Sequence, residues 1–298
     1  MFRSILDDIK DMLKNGTMLT RLIIINIIVF VVLGVFVRYL FPSIYAPALD
    51  YLALSSDLWW NVKHPWVFIT HMFLHAGIYH IFWNMLLYYW MGTIVGDLVG
   101  DKKILPLFIY GGLTGAVIYM LSYAYILPDQ LAGNAIGASA AVMATVISAA
   151  VIAPDYKIRL ILIGPISIKY IAVVLLVIDM VGTAGMNNTG GHFAHLGGAL
   201  FGWFFASNLK RGNDLSIGFN KFVDRLLDLF KGGSPGKRSK LKVSHKSGHK
   251  KKPVDKKVVD DGMQERVDKI LDKINDVGYE KLTEEEKEFL FIASKKQK

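Results

Sequence analysis

The chain has no cysteine, which excludes a disulfide, a thiolate nucleophile and a cysteine-ligated zinc site. It has no HExxH motif and no internal repeat or pair of broken helices of the kind that builds transporters. The segment Met1 to Thr20 lacks a small-residue cleavage site and carries Arg3, Asp7, Asp8, Lys10, Asp11 and Lys14. A cleaved signal peptide is therefore not expected, and the apolar run from Leu22 reads as a retained span. Lysine and arginine are absent from Pro128–Ile136 and from Gly185–Gly191, and Asp179 is the only acid in its apolar stretch.

Apolar residues fill the space these absences leave. The 298 residues are 53% hydrophobic, with a mean hydropathy of +0.37, too apolar for an ordinary soluble protein of this length. The long apolar runs fall in 1–209, whereas 210–298 is dominated by Lys, Asp and Glu, so the two parts meet different solvents. Runs approaching ~18 apolar residues are candidate spans. Six helices are expected: Leu22 to Val37, Gly77 to Val95, Ile104 to Leu127, Ser139 to Ala153, Ile166 to Ala184, and His192 to Asn208. The fold class is an all-α polytopic membrane protein.

Charge sets the orientation, because cytoplasmic loops carry the positive excess. Arg3, Lys10, Lys14 and Arg21 precede the first helix, Lys102 and Lys103 follow the second, Lys157 and Arg159 the fourth, and Lys210 and Arg211 the sixth. The opposite loops hold only Arg38 and Lys63. Both termini are thus expected in the cytoplasm, and His80, Ser139 and His195 at the outward ends of their helices. The aromatic segment Tyr39 to Ala76, with Trp59, Trp60 and Trp66, suits the headgroup level of the outer leaflet. The localisation expected is a bacterial plasma membrane, spanned several times.

Three short motifs place polar groups where hydrocarbon makes them costly. The first is His71-x3-His75-x4-His80-x3-Asn84, the second Gly137-Ala138-Ser139-Ala140, the third Ala194-His195-Leu196-Gly197-Gly198 with Gly202 beyond it. Ser139 alone reads as a helix-packing serine. Its setting at a loop-to-helix junction, among small residues, leaves its hydroxyl uncrowded and close to unpaired backbone N–H groups. Gly198 and Gly202 lie on one stripe with His195 and let a second helix approach closely. If that helix begins at Ser139, the serine gains the adjacent base a nucleophile needs. The other reading is a glycine packing face with an incidental histidine. His80 and Asn84 share a face one turn apart, and both can donate to an oxyanion. His71 and His75 read as braces for the loop.

In order and spacing, these motifs resemble the rhomboid family of intramembrane serine proteases over roughly Trp66 to Gly202. The resemblance implies a six-transmembrane-helix bundle with a Ser–His dyad, no carboxylate partner and no cofactor or metal. By motif, Ser139 corresponds to the nucleophile, His195 to the general base and His80 and Asn84 to oxyanion stabilisers. His71, His75, Gly137, Gly198 and Gly202 correspond to structural motif residues, the last two to the helix-packing glycines. Substrates would be transmembrane segments of membrane proteins, cut near the outer face. Two positions depart from the pattern. Ala140 replaces the glycine of the usual Gly-x-Ser-Gly, which predicts tighter packing, and Val67 replaces the arginine that often follows the loop tryptophan. Asp179 invites a triad, but the resemblance argues for a structural or hydrated role. His192 either tunes His195 or faces water.

The alternatives are a transporter or metal-binding protein built on His71, His75, His80, His192 and His195, or an inactive rhomboid-like binding protein. Against a metal stands the lack of any carboxylate near these histidines in sequence. The domain order expected is an N-terminal segment (1–21), the six-helix protease domain (22–209), a basic flexible linker (210–262) and a helical hairpin (263–298). Lys231 to Lys257 is Lys/Gly/Ser-rich with Asp255 its lone acid, and suits anionic inner-leaflet lipids better than nucleic acid. In the hairpin, Val267, Ile270, Leu271 and Ile274 form one stripe, and Thr283 to Glu286 is a capping-box start. The hairpin reads as a module for docking a partner.

Overall fold

The computed structural model describes residues 2–127, 133–160, 164–185, 188–230, 261–277 and 281–296. They fall into two units, Met1–Ser234 and Pro235–Lys298. In the first unit, apolar residues at three- and four-residue spacing make α1 (Phe2–Asn15) amphipathic, with Ile5, Leu6 and Met12 exposed. Thr17 caps the next helix by accepting from the Thr20 N–H. That helix, α2 (Met18–Leu40), is π-helical over Phe30–Val37 and exposes Ile25, Ile28, Val32, Val35 and Phe36. So much bare aliphatic surface suits lipid rather than water.

The core elements of this unit are α3 (Ile78–Val99), α4 (Ile104–Tyr125), α5 (Ser139–Ile152), α6 (Ile168–Gly182) and α7 (Thr189–Lys210). Helix α5 is apolar on every side, and all of 140–149 is buried. A helix without a polar face must be surrounded, and α3, α4, α6 and α7 surround this one. It stops at Ala153 because Pro154 disfavours helical backbone at the residue before it. Helices therefore occupy each of the six expected ranges. Among the described residues, two, Met18–Leu40 and Asp101–Tyr125, are long and apolar enough to cross a membrane, and α5 is apolar but has only 14 residues.

Several elements differ from the sequence expectation. The 1–21 segment contains α1, and the basic linker expected over 210–262 begins with a helix, α8 (Ser216–Phe230). Apolar residues at 217, 219, 222, 223, 226, 227 and 230 give α8 its stripe, which the lysines downstream concealed. The long loop after α2 holds short helices at Pro42–Leu52, Leu58–Lys63 and Val67–Thr70. Two small antiparallel pairs complete the unit: β1 (Leu54–Ser55) with β2 (Asn134–Ala135), and β3 (Lys157–Leu160) with β4 (Gly164–Ser167).

The second unit contributes α9 (Asp261–Val277) and α10 (Glu284–Lys296). Thr283 and Glu286 cap α10 reciprocally: the Thr283 N–H donates to Glu286 Oε2 at 2.8 Å, and the Glu286 N–H to Thr283 Oγ1 at 3.3 Å. Lys273 of α9 donates to Glu286 at 2.8 Å and ties the two helices together. The basic run of 231–257 lies outside the described residues.

Candidate active site

Four helices deliver polar side chains to one end of the bundle. Ser139 opens α5, His80 lies in the first turn of α3, His195 in the second turn of α7, and Asp179 near the end of α6. The glycine stripe of α7 makes the approach possible. A Cβ on Gly198 would collide with the Ala140 carbonyl oxygen, and one on Gly202 with that of Ala144. Ser148 Oγ donates to the Gly202 carbonyl at 2.9 Å and locks the same crossing lower down. With the backbones this close, Ser139 Oγ and His195 Nε2 are 2.7 Å apart.

The segment ahead of Ser139 is held from the loop. β2 pairs with β1, and the Gly137 N–H donates to the His71 carbonyl at 2.8 Å. His71 in turn donates from Nδ1 to the Val67 carbonyl at 2.7 Å. Gly137 has φ +128°, a conformation side chains rarely adopt, and a Cβ there would stand 2.8 Å from the His80 ring. Glycine thus serves both the turn and the close seating of His80. His75 is buried and packs edge-on against the His80 ring at 5.1 Å between centroids. Val67, where the family often has arginine, is fully buried. Beside it Trp66 donates from Nε1 to the Tyr51 carbonyl at 2.9 Å, so packing anchors this loop.

Hydrogen bonds fix the tautomers. His80 Nδ1 accepts from the Ala76 N–H at 3.3 Å, which leaves Nε2 as the N–H of a neutral ring, on the side facing Gly137. Asn84 is buried and donates one amide hydrogen to the His80 carbonyl at 2.8 Å. Its other amide hydrogen remains for the cavity, of about 640 Å³, that it lines with His80, Ser139 and His195.

Asp179 joins the histidines at this end of the bundle. It is buried, and its Oδ1 accepts from His195 Nδ1 and from His192 Nδ1, each at 2.8 Å. Of the structural or hydrated role expected for the acid, these contacts fit the structural one, and they correct the expected lack of a carboxylate near the histidines. The acid lies 13 and 16 residues from its partners in sequence, and the turn from α6 to α7 brings them together. A signal was present, since Ile168, Ala172 and Asp179 form the buried stripe of α6. His192 likewise faces Asp179 and not water alone. The ligand atoms of Asp179, His192 and His195 lie within 4.8 Å of one another, close enough to share a cation.

The chain resembles known proteins. It is 29% identical over 156 residues to RHOMBOID-like protein 12, mitochondrial, of Arabidopsis thaliana, covering 48% of this chain and 46% of that protein. It is 27% identical over 139 residues to presenilin-associated rhomboid-like protein A, mitochondrial, of Danio rerio, covering 46% and 36%. The chain thus spans less than half the length of either relative. The names of both relatives place them in mitochondria, which does not fit well with the bacterial plasma membrane expected from the sequence. Residues 261–296 match a family of unknown function, DUF6576. The Rhomboid domain model matches residues 62–211, half of the chain, including His80, Asn84, Ser139, Asp179, His192 and His195, and the chain belongs to this membrane-embedded family.

Proposed function

We propose that the chain is an intramembrane serine endopeptidase, its six helices at the expected positions crossing the bilayer with both ends on the positively charged side. The observation that carries this reading is the 2.7 Å contact between Ser139 Oγ and His195 Nε2 at a helix start beside a cavity. Ser139 attacks the scissile carbonyl while its proton passes to His195 Nε2, which later gives it to the leaving amine. The Ser139 N–H, His80 Nε2–H and the remaining Asn84 N–H receive the oxyanion. Substrates are transmembrane helices entering from the lipid. The basic segment 231–257 associates with anionic lipid, and the α9–α10 pair forms a separate module for a partner protein.

Ser139→Ala and His195→Ala should each abolish cleavage of a single-pass substrate in detergent, and the double variant should be little worse than either alone. Labelling of Ser139→Ala by a fluorophosphonate as strongly as wild type would end the assignment. The cluster of Asp179, His192 and His195 favours one rival reading, a metal site. Full activity in a strong chelator supports the peptidase, and loss of activity restored by zinc supports the metal.

A further inference from the structure

His192 and His195 are three residues apart on α7, so both rings point from one face toward α6. There they meet a single oxygen, Oδ1 of Asp179, each through Nδ1 at 2.8 Å. A carboxylate only accepts, so both Nδ1 atoms carry hydrogen. For His195 the consequence is chemical, because Nε2 is then an unprotonated acceptor facing the Ser139 hydroxyl at 2.7 Å. For His192 it is structural: its ring donates to the acid rather than to Ser139 and meets the His195 ring edge-on, 5.9 Å between centroids. A buried carboxylate in an apolar bundle is costly unless its lone pairs are used. α6 also makes room for the second ring: a Cβ on Gly182 would fall 2.5 Å from three atoms of the His192 imidazole.

We infer that Asp179 and His192 are a positioning pair behind His195: the Asp179 carboxylate holds His195 as its Nδ1–H tautomer, and His192 holds the carboxylate. This rests on the peptidase reading and extends the expected dyad to four residues. In the acylation step the serine proton moves to His195 Nε2, giving an imidazolium whose Nδ1–H still donates to Asp179. The proton then leaves from Nε2 to the amine, so Asp179 never takes it. His192 keeps Oδ1 aimed at His195 while that ring changes charge. Neither Asp179 nor His192 touches the reacting atoms.

The test uses the full chain in detergent, with kcat and KM for a single-pass substrate and 15N shifts of labelled histidine. Asparagine at 179 presents an N–H to His195 Nδ1 and drives the proton to Nε2, the face that must be free. Asp179→Asn should lower kcat by about 10² or more with KM nearly constant, and the 15N shifts should report the exchanged tautomer. His192→Phe should lose roughly 3- to 10-fold, the worth of one hydrogen bond. His192→Asn, whose Nδ2 can stand where Nδ1 stood, should recover most of that loss. Because His192 acts through Asp179, the double variant Asp179→Asn/His192→Phe should be no slower than Asp179→Asn alone. Wild-type kcat in Asp179→Asn, or a loss of kcat with the His195 tautomer unchanged, overturns the pair. So does a double variant whose losses multiply. With Ser139→Ala inert, any of these outcomes removes only the pair, whereas an active Ser139→Ala removes the peptidase reading itself.

Discussion

The methyl group of Ala140 lies against the bare Cα of Gly115, so that a Cβ on Gly115 would overlap the Ala140 Cβ. Position 140 is where the family pattern usually has glycine. Here the extra methyl projects from α5 toward α4, which meets it with a residue that has no side chain. The extra methyl is thus accommodated with Ser139 Oγ still 2.7 Å from His195 Nε2.

This contact predicts that Gly115→Ala overpacks the bundle and costs about 1–3 kcal/mol. The new methyl would also stand 2.9 Å from the Ala194 carbonyl oxygen, so adding Ala140→Gly should restore only part of the loss. Denaturation in detergent, followed by circular dichroism, measures both. Unchanged stability in Gly115→Ala would mean that the two helices part freely at this level.

The tautomer of His80 leads to a second prediction. With Nδ1 occupied by the Ala76 N–H, Nε2–H is a donor fixed beside the Ser139 turn. Asn84 has one amide hydrogen committed to its own helix and one free. His80→Ala and Asn84→Ala should each lower kcat by roughly 10²–10³ without abolishing it, as expected for one of several oxyanion donors. Steady-state kinetics on a transmembrane substrate decide this. Full activity in both variants would reduce these residues to packing roles.

What the sequence disclosed about the site was its short-range content. Gly137, Ser139, His195, Gly198 and Gly202 are legible because small residues beside a polar one, at helical spacing, have few other uses. Asp179 was visible, and a structural role was one of two expected for it, but its partners were not, since they lie 13 and 16 residues away on the next helix. His192 was read only as a neighbour of His195, because helical spacing shows which face a ring occupies but not what it meets. In the fold, the long apolar helices announce themselves, and so does the cap of α10. α8 was hidden because its stripe adjoins a lysine-rich run. The two-residue pairing of β1 with β2 is too short for any alternation to show.

The second unit carries a pH dependence that can be assigned a sign. The Lys273 ammonium hydrogen-bonded to Glu286, helped by the Thr283 N–H, holds the Glu286 carboxyl below its usual range despite slight burial. A carboxyl with a depressed folded value stabilises the fold above its unfolded value and ceases to do so as pH falls through the folded one. Protection of α9 and α10 amides in the full chain, corrected for intrinsic exchange, should therefore be level near neutrality and decline below about pH 4.5. Glu286→Gln should flatten the decline. An unchanged profile in that variant would place the acid sensitivity elsewhere.

On the peptidase reading proposed above, the setting of Ser139 bears on what can be cut. A continuous transmembrane helix keeps its carbonyls within its own hydrogen bonds, and in hydrocarbon nothing else satisfies them. A peptide bond reaches Ser139 only if several residues unwind, and glycine or proline lowers the cost by about 1 or 3 kcal/mol per residue relative to alanine. On one side of Ser139 the His80 ring is seated directly on Gly137, which limits the room there. That favours a small side chain just before the cleaved bond. A substrate series in proteoliposomes, with helix-breaking residues replaced by leucine one at a time, should show cleavage falling with each replacement. Since the cost is one of unwinding, the loss should appear mainly in kcat, and a substrate unfolded in detergent should recover much of the rate. Equal cleavage of an uninterrupted leucine helix and a glycine-containing one would mean that the site takes intact helices and that unwinding is not required.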